Sequence, residues 1–339
     1  MSRFVGVDLH KKSFTVSFYD SDSTEHVVRT FRLKDLEDFK KRLDKEDVLS
    51  VEMTGNTRYF VEKIKDYVKE VKVINTLEFS VISKSVKKTD EHDAKMIAEF
   101  SSKDMIPEIN LKDRKTCRIS SLSQTRDSFV KLRTTLKNKI HSLLNSYGIV
   151  LEKKQLTSNK GLERLLNIEL DDVTKLELEV IIDEIKHLNE MIKKLDKKLI
   201  EQGRNMNGHK NITSIPGIGD RSGAILLSVI GEINKFSSSK KLASYFGIVP
   251  VVRQSGDKER HGRITKHGSR LGRATLVQCT LVSINHSSYL KNYYSKKKSQ
   301  KGSGKAIIAT AHKLLDIIYD TLKNKRVFVD FKNYKYITA

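Results

Sequence analysis

Phe4-Val5-Gly6-Val7-Asp8-Leu9-His10-Lys11-Lys12-Ser13 decides the reading of the fold. A short apolar run ends in an acid and a polar turn. A second β-rich run, Phe14-Thr15-Val16-Ser17-Phe18-Tyr19, follows at once. That pattern predicts a hairpin with a carboxylate at the end of its first strand. A strand holds its side chains rigidly, so Asp8 is well placed to hold a metal ion. The plainer alternative is that it caps a turn.

Working outward, residues 27–33 form a third short strand after a polar turn. Residues 35–43 place Leu36, Phe39 and Leu43 at helical spacing. Residues 48–53 make a strand that carries Glu52 and runs into Thr54-Gly55-Asn56; a helix (59–68) and a strand (71–75) come next. Three hairpin-like strands followed by alternating helix and strand predict a mixed α/β sheet with helices on its faces.

The acids fall at the ends of these elements. Asp8 ends the first strand and Glu52 the fourth. Asp90 and Asp93 stand three apart in Lys87-Lys88-Thr89-Asp90-Glu91-His92-Asp93-Ala94-Lys95, where a helix starts. That spacing projects both from nearly one face. Two strand acids and two helix acids can converge into a cage for a hard divalent cation, and Mg²⁺ suits such oxygen ligands. A pair of such ions stabilises the oxygens of an in-line phosphoryl displacement. Taken singly, Asp90 reads as a helix N-cap and Asp93 as a first-turn acid favoured by the helix dipole.

The 64 Lys and Arg against 42 Asp and Glu leave a formal charge of +22. Such an excess points to a polyanionic partner, above all nucleic acid. No apolar stretch reaches the length of a transmembrane helix. The N-terminus lacks a basic-then-apolar signal pattern. Cys117 and Cys279 cannot make a disulfide framework, and no Cys/His cluster has zinc spacing. A reducing, cytoplasmic location follows.

Residues 113–147 read as one long helix. Leu122, Phe129, Leu136 and Leu143 fall at seven-residue spacing, with Ile119, Leu132 and Ile140 between them. Residues 176–201 are more regular. Leu178, Ile185, Ile192 and Leu199 make one heptad position, and Ile181, Leu188 and Leu195 the other, a coiled-coil pattern. The partner is either the preceding helix, antiparallel, or another copy of the chain. Residues 203–209 form a Gly/Asn-rich break.

Beyond the break, Ile215-Pro216-Gly217-Ile218-Gly219 opens an apolar helix. It reads either as a helix-hairpin-helix contact to a nucleic-acid backbone or as a structural turn. The stretch 251–270 is a glycine-loosened basic loop carrying Ser255 with Arg253, Arg260, Arg263 and Lys266. A serine hydroxyl needs activation to attack, and cations stabilise charge developing on a phosphate. Ser255 reads equally as a turn residue before Gly256. From residue 287, Tyr289, Tyr293 and Tyr294 interleave with Lys296, Lys297 and Lys298, a composition suited to stacking on bases and pairing with phosphates. A solvated loop is the alternative. Residues 305–323 return to an amphipathic helix.

Five blocks in this order resemble one family. They are Gly-Val-Asp-Leu-His-Lys-Lys at 6–12, Glu-Met-Thr-Gly at 52–55 and Lys-Thr-Asp-Glu-His-Asp-Ala at 88–94. Ile-Pro-Gly-Ile-Gly at 215–219 and Ser-Gly followed by Gly-Arg-Ile-Thr-Lys-His-Gly within 255–268 complete the set. The chain resembles the DEDD transposases of insertion sequences, related to the Piv invertase and described as bridge-RNA-guided recombinases. Where the family often has Leu-Arg after the basic loop, this chain has Leu271-Gly272-Arg273.

The resemblance implies a RuvC-like, RNase H-fold domain at 1–110, a helical coiled-coil segment at 111–207, a helical C-terminal transposase domain at 208–325 and a tail at 326–339. It implies that Asp8, Glu52, Asp90 and Asp93 bind Mg²⁺, with room for two ions, and that Ser255 attacks a DNA phosphodiester to form a covalent phosphoserine link. It further implies double-stranded donor and target DNA, a structured guide RNA, and a dimer or tetramer acting at the nucleoid without a membrane. Two other functions fit the residues: a RuvC-like metal-dependent nuclease in which Ser255 is structural, and a noncatalytic nucleic-acid-binding coiled-coil scaffold.

Overall fold

In the computed structural model, strands β1 (Arg3–Leu9), β2 (Ser13–Asp20), β3 (His26–Arg32), β4 (Val48–Glu52) and β5 (Glu70–Ile74) build one sheet in the order β3-β2-β1-β4-β5. β1, β2 and β3 form an antiparallel meander, while β4 runs parallel to β1 and β5 parallel to β4. The expected mixed sheet is therefore present. The structure describes residues 3–76, 78–79, 89–255 and 258–329, without side chains at 153 and 253–261. Lys87 and Lys88 of the acidic motif, Gly256 and Asp257 of the basic loop, and positions 330–339 of the expected tail lie outside the described residues.

The chain divides into two compact units, Met1–Lys112 and Asp113–Ala339. In the first, strand alternation sorts the residues of β1 onto two faces. Val5, Val7 and Leu9 join Phe14, Val16, Leu49 and Val51 in an apolar core, closed by Leu36 and Phe39 of α1 (Leu36–Lys40) and Phe60 and Ile64 of α2 (Thr57–Ile64). Phe14 meets both Phe39 and Phe60 edge-on with ring centroids 5.1 Å apart. Each of these fully buried side chains contributes about 1.5–3 kcal/mol.

The opposite face is small and polar. Gly6 pairs with Ser17 on one side and Ser50 on the other. Helix α3 (Asp90–Ser102) lies across this row. A Cβ on Gly6 would stand 2.5 Å from the Ala98 amide nitrogen and closer still to the Ala94 carbonyl oxygen. Only a glycine leaves room for the helix backbone there. Farther along, the Ser50 and Ser101 hydroxyls hydrogen-bond at 2.8 Å in full burial, which ties the end of α3 to β4. Thr89 caps the start, its hydroxyl accepting from the His92 amide. The capping role considered for Asp90 thus belongs to Thr89, and Asp90 is the first helical residue.

Among the described residues, the second unit is helical except for one hairpin. Its two longest helices are α4 (Arg114–Asn145) and α6 (Asp172–Arg204). The pairs Arg126–Asp196, Arg133–Asn189 and Lys139–Glu177 show that they run antiparallel. Leu178, Ile181, Ile185, Leu188, Ile192 and Leu199 of α6 are buried as the heptads require. Leu132, expected inside, is exposed, because the middle of α4 buries little. The short helix α5 (Asn159–Leu165), unexpected from sequence, closes a small core at the far end of the pair with Ile140, Leu144 and Leu178.

After the break at 205–208 the chain stays within this unit. Helices α7 (His209–Thr213), α8 (Asp220–Ile230), α9 (Ser239–Phe246), α10 (Arg270–His286), α11 (Ser288–Lys301) and α12 (Ser303–Lys323) follow. Leu226, Leu227, Phe246, Leu276, Leu314 and Ile318 form their shared core. Between α9 and α10 lies an antiparallel hairpin, β6 (Pro250–Ser255) and β7 (Lys258–Ile264). The basic stretch read as a glycine-loosened loop is therefore mostly strand. The segment from 288 to 301, for which a solvated loop was the alternative, is a helix capped by Ser287.

Replacing Gly6 by alanine forces a methyl group into the α3 backbone. The expected result is a loss of about 1–3 kcal/mol in the unfolding free energy of the full chain, read from urea or thermal denaturation.

Candidate functional site

Register brings the strand acids together. Val7 pairs with Val51, so Asp8 and Glu52 follow as the next residues on adjacent parallel strands. Asp90 and Asp93 come from the first turn of α3 on the same face. Asp8 and Asp93 are buried, at 6% and 8% exposure, whereas Asp90 is open to solvent. Burial pushes the Asp8 carboxyl above its ordinary range; His10 opposes this, and the charges of Asp90 and Asp93 add to it. The strand carboxylate and both helix carboxylates thus share one electrostatic environment.

His10 is the residue that the sequence reading passed over as a participant. Its Nε2 lies 3.3 Å from Asp8 Oδ2 and 3.2 Å from Asp90 Oδ2. Burial disfavours its cation, but Asp8, Asp90 and Glu52 outweigh that and raise its pKa. Ligand atoms of Asp8, His10 and Asp90 all lie within 4.8 Å of one another, a group able to hold a metal ion. The turn after Glu52 supports this arrangement. Asn56 Nδ2 donates to the His10 carbonyl at 2.9 Å, and the Thr57 hydroxyl donates to the Glu52 carbonyl at 2.6 Å. Asn56 and Thr57 therefore brace both acidic strand ends.

The second unit carries the other sequence-predicted residues. Ser255 ends β6 and pairs with Lys258 across the hairpin; Arg253 pairs with Arg260. Arg263 and Lys266 are exposed. Lys266 adopts φ +58° and donates its amide to the Gly247 carbonyl at 3.0 Å. Arg273 Nη1 donates to the His267 carbonyl at 2.6 Å and to those of Phe246 and Gly268 at 3.2 Å. The departure at Leu271-Gly272-Arg273 is accommodated within α10. Gly272 packs against Val229, and Arg273 ties down the base of the hairpin.

Two other expectations change. Gly217 is at φ +95°, with the Ser283 backbone and hydroxyl where a Cβ would go, and the Ser283 hydroxyl donates to the Pro216 carbonyl at 2.5 Å. Asp220, the first residue of α8, is paired with Arg204, so an acid already occupies the helix mouth. The Pro-Gly-x-Gly block is thus a structural turn packed on α10. On α11, Lys297 lies over the Tyr293 ring at 5.7 Å and Lys298 over Tyr294 at 6.0 Å. The interleaving of aromatics and lysines is a set of i,i+4 pairs, with Lys296 and Lys298 exposed and Lys297 half-buried. Among the described residues, no helix is long and apolar enough to cross a membrane.

Comparison with known proteins places both halves. A profile described as Transposase IS116/IS110/IS902 family matches residues 209–295. A DEDD transposase profile of the IS110 type matches residues 5–149. The chain is 27% identical over 251 residues to a transposase for insertion sequence element IS1111A from Coxiella burnetii, which covers 71% of this chain and 68% of that protein. It is 26% identical over 346 residues to the pilin gene-inverting protein of Moraxella lacunata, covering 96% and 97%. A transposase for insertion sequence element IS1328 from Yersinia enterocolitica is 23% identical over 332 residues, covering 96% and 98%. The acidic cluster falls inside the DEDD profile's match and the hairpin inside the other's.

The Asp8 shift has a measurable sign. Its folded pKa exceeds the unfolded one, so the folded state holds its proton to higher pH, and stability falls as pH rises through the folded value. At neutral pH the ionised form therefore costs stability. Asp8→Asn is expected to melt higher than wild type in chelator at pH 7. Added divalent cation should raise the wild-type melting temperature and leave Asp8→Asn nearly unmoved, as differential scanning fluorimetry would read.

Proposed function

Because this chain belongs to the DEDD transposases of the IS110 family, whose members cleave and rejoin DNA, we propose that it is the Mg²⁺-dependent site-specific recombinase of an insertion sequence and works through a covalent phosphoserine–DNA intermediate. The observation that carries this reading is the convergence of Asp8, Glu52, Asp90 and Asp93 from two adjacent strands and one helix. The donor set fits a hard divalent cation, because carboxylate oxygens dominate it and the Asp8 charge is penalised by its acidic neighbours. Asp8, Glu52, Asp90 and Asp93 would hold Mg²⁺. Bound there, the ion supplies Lewis-acid polarisation of a phosphoryl oxygen.

The chain's own residues do the rest. Ser255 supplies the hydroxyl that displaces the deoxyribose oxygen of a DNA phosphodiester, and the leaving oxygen takes up a proton. Arg253, Arg260, Arg263 and Lys266 stabilise the charge that develops on the phosphate. Lys296, Lys297 and Lys298 hold the duplex backbone. The sheet order with α3 across its polar face supports a RuvC-like assignment for the first unit. The antiparallel pair α4–α6 supports a coiled-coil assignment, and the exposed row Val173, Leu176 and Val180 on α6 supports self-association into a dimer or tetramer. A structured guide RNA, read by shape and backbone, would account for the charge of +22 without demanding a base-reading helix.

Ser255→Ala is expected to abolish a denaturant-resistant protein–DNA adduct on a nicked or mismatched donor site while retaining divalent-cation binding. Undiminished cutting by that variant would assign the attack to water and the protein to the nucleases. The lysine assignment is tested by salt. Changing Lys296, Lys297 and Lys298 together to Gln should reduce the slope of log affinity against log salt by about 2.7, as three lost phosphate contacts require.

A further inference from the structure

His10 is held from both sides of its backbone. Its amide donates to the Ser13 carbonyl at 2.9 Å, and its carbonyl accepts from Asn56 at 2.9 Å. Its backbone is thereby fixed just after β1, and its Nε2 stands nearly equidistant from one oxygen of Asp8 and one of Asp90. The distances, 3.3 and 3.2 Å, are long for a hydrogen bond between a charged imidazole and a carboxylate, which closes to about 2.7–2.9 Å. They match another geometry. Two ligand atoms at adjacent corners of an octahedron, each about 2.1 Å from its centre, stand about 3 Å apart.

We propose that His10 Nε2 is a direct ligand of the divalent cation, completing a nitrogen-and-oxygen triad with Asp8 and Asp90. The inference rests on the divalent-metal reading above and adds a donor of different chemistry to it. An imidazole shifts preference from Mg²⁺ toward transition-metal cations such as Mn²⁺ and Co²⁺, which bind nitrogen better than Mg²⁺ does. About half of the His10 side chain and more than half of that of Asp90 face solvent, 49% and 58% exposed. The outer side of the triad is therefore open to water or a phosphate oxygen. Asn56 is a positioning residue in this scheme, acting through the His10 backbone.

Pulsed electron paramagnetic resonance of the full chain loaded with Mn²⁺ tests the proposal without relying on recombination. The wild type is expected to show ¹⁴N modulation from a coordinated imidazole. His10→Gln, with its fold checked by circular dichroism, should lose that modulation and bind Mn²⁺ more weakly by roughly tenfold or more. Its Mg²⁺ affinity should fall less. Bound Mn²⁺ without ¹⁴N modulation in the wild type overturns the proposal and leaves the carboxylate site standing. Modulation that survives in His10→Gln overturns it as well, since the nitrogen then comes from another residue. A wild-type chain that binds no Mn²⁺ overturns both the proposal and the metal reading beneath it.

Discussion

Helix α3 rests on β1 with no side chain between them at Gly6, and the carboxylate cluster depends on that approach. A larger residue would lift the helix from the sheet. Asp90 and Asp93 would then move away from Asp8, since they sit in the first turn of the same helix. The serine pair Ser50–Ser101 pins the other end. A row of the smallest residues across three strands, Ser17, Gly6 and Ser50, therefore does for the acids what a hydrophobic face cannot. It sets their distance rather than merely their burial. The apolar face behind the sheet supplies stability, and the small polar face supplies position.

Both candidate sites concentrate one sign of charge on a braced backbone. In the first unit acids crowd around Asp8, and in the second the hairpin register sets Arg253 against Arg260. The crowding around Asp8 is unfavourable on its own terms. A cation bound among those carboxylates would relieve it, so that binding and local folding would reinforce one another. The bracing residues, Asn56 in one case and Arg273 in the other, donate to backbone carbonyls. They hold the chain's path and leave the charged side chains to the ligand.

The first sheet was legible in the sequence because its strands alternate or run apolar between polar turns, and a strand end is easily recognised. The positions of Asp8, Glu52, Asp90 and Asp93 followed from those ends. His10 was not legible as a participant, because nothing in local spacing shows that a residue after a strand turns back toward a helix some eighty positions on. The hairpin around Ser255 was hidden by its glycines and charges, which interrupt strand periodicity. Helix α11 was hidden because it has no apolar face, and only Leu290 is buried on it. The turn at Pro216-Gly217 matched a phosphate-binding pattern in letters, yet its glycine serves packing against α10. Local patterns reveal elements; they do not reveal which element's backbone another will touch.

The helix pair of the second unit has a consequence of scale. α4 has 32 residues and α6 has 33. At about 1.5 Å per residue each runs roughly 48–50 Å. The small core around Ile140, Leu162 and Leu178 sits at one end of this pair, while Ile119 and Leu199 pack with Ala224 and Ile225 near the other. With DNA rising about 3.4 Å per base pair, the pair is as long as roughly fourteen base pairs. Inserting or deleting one heptad from both helices would change its length by about 10 Å while keeping its seam in phase.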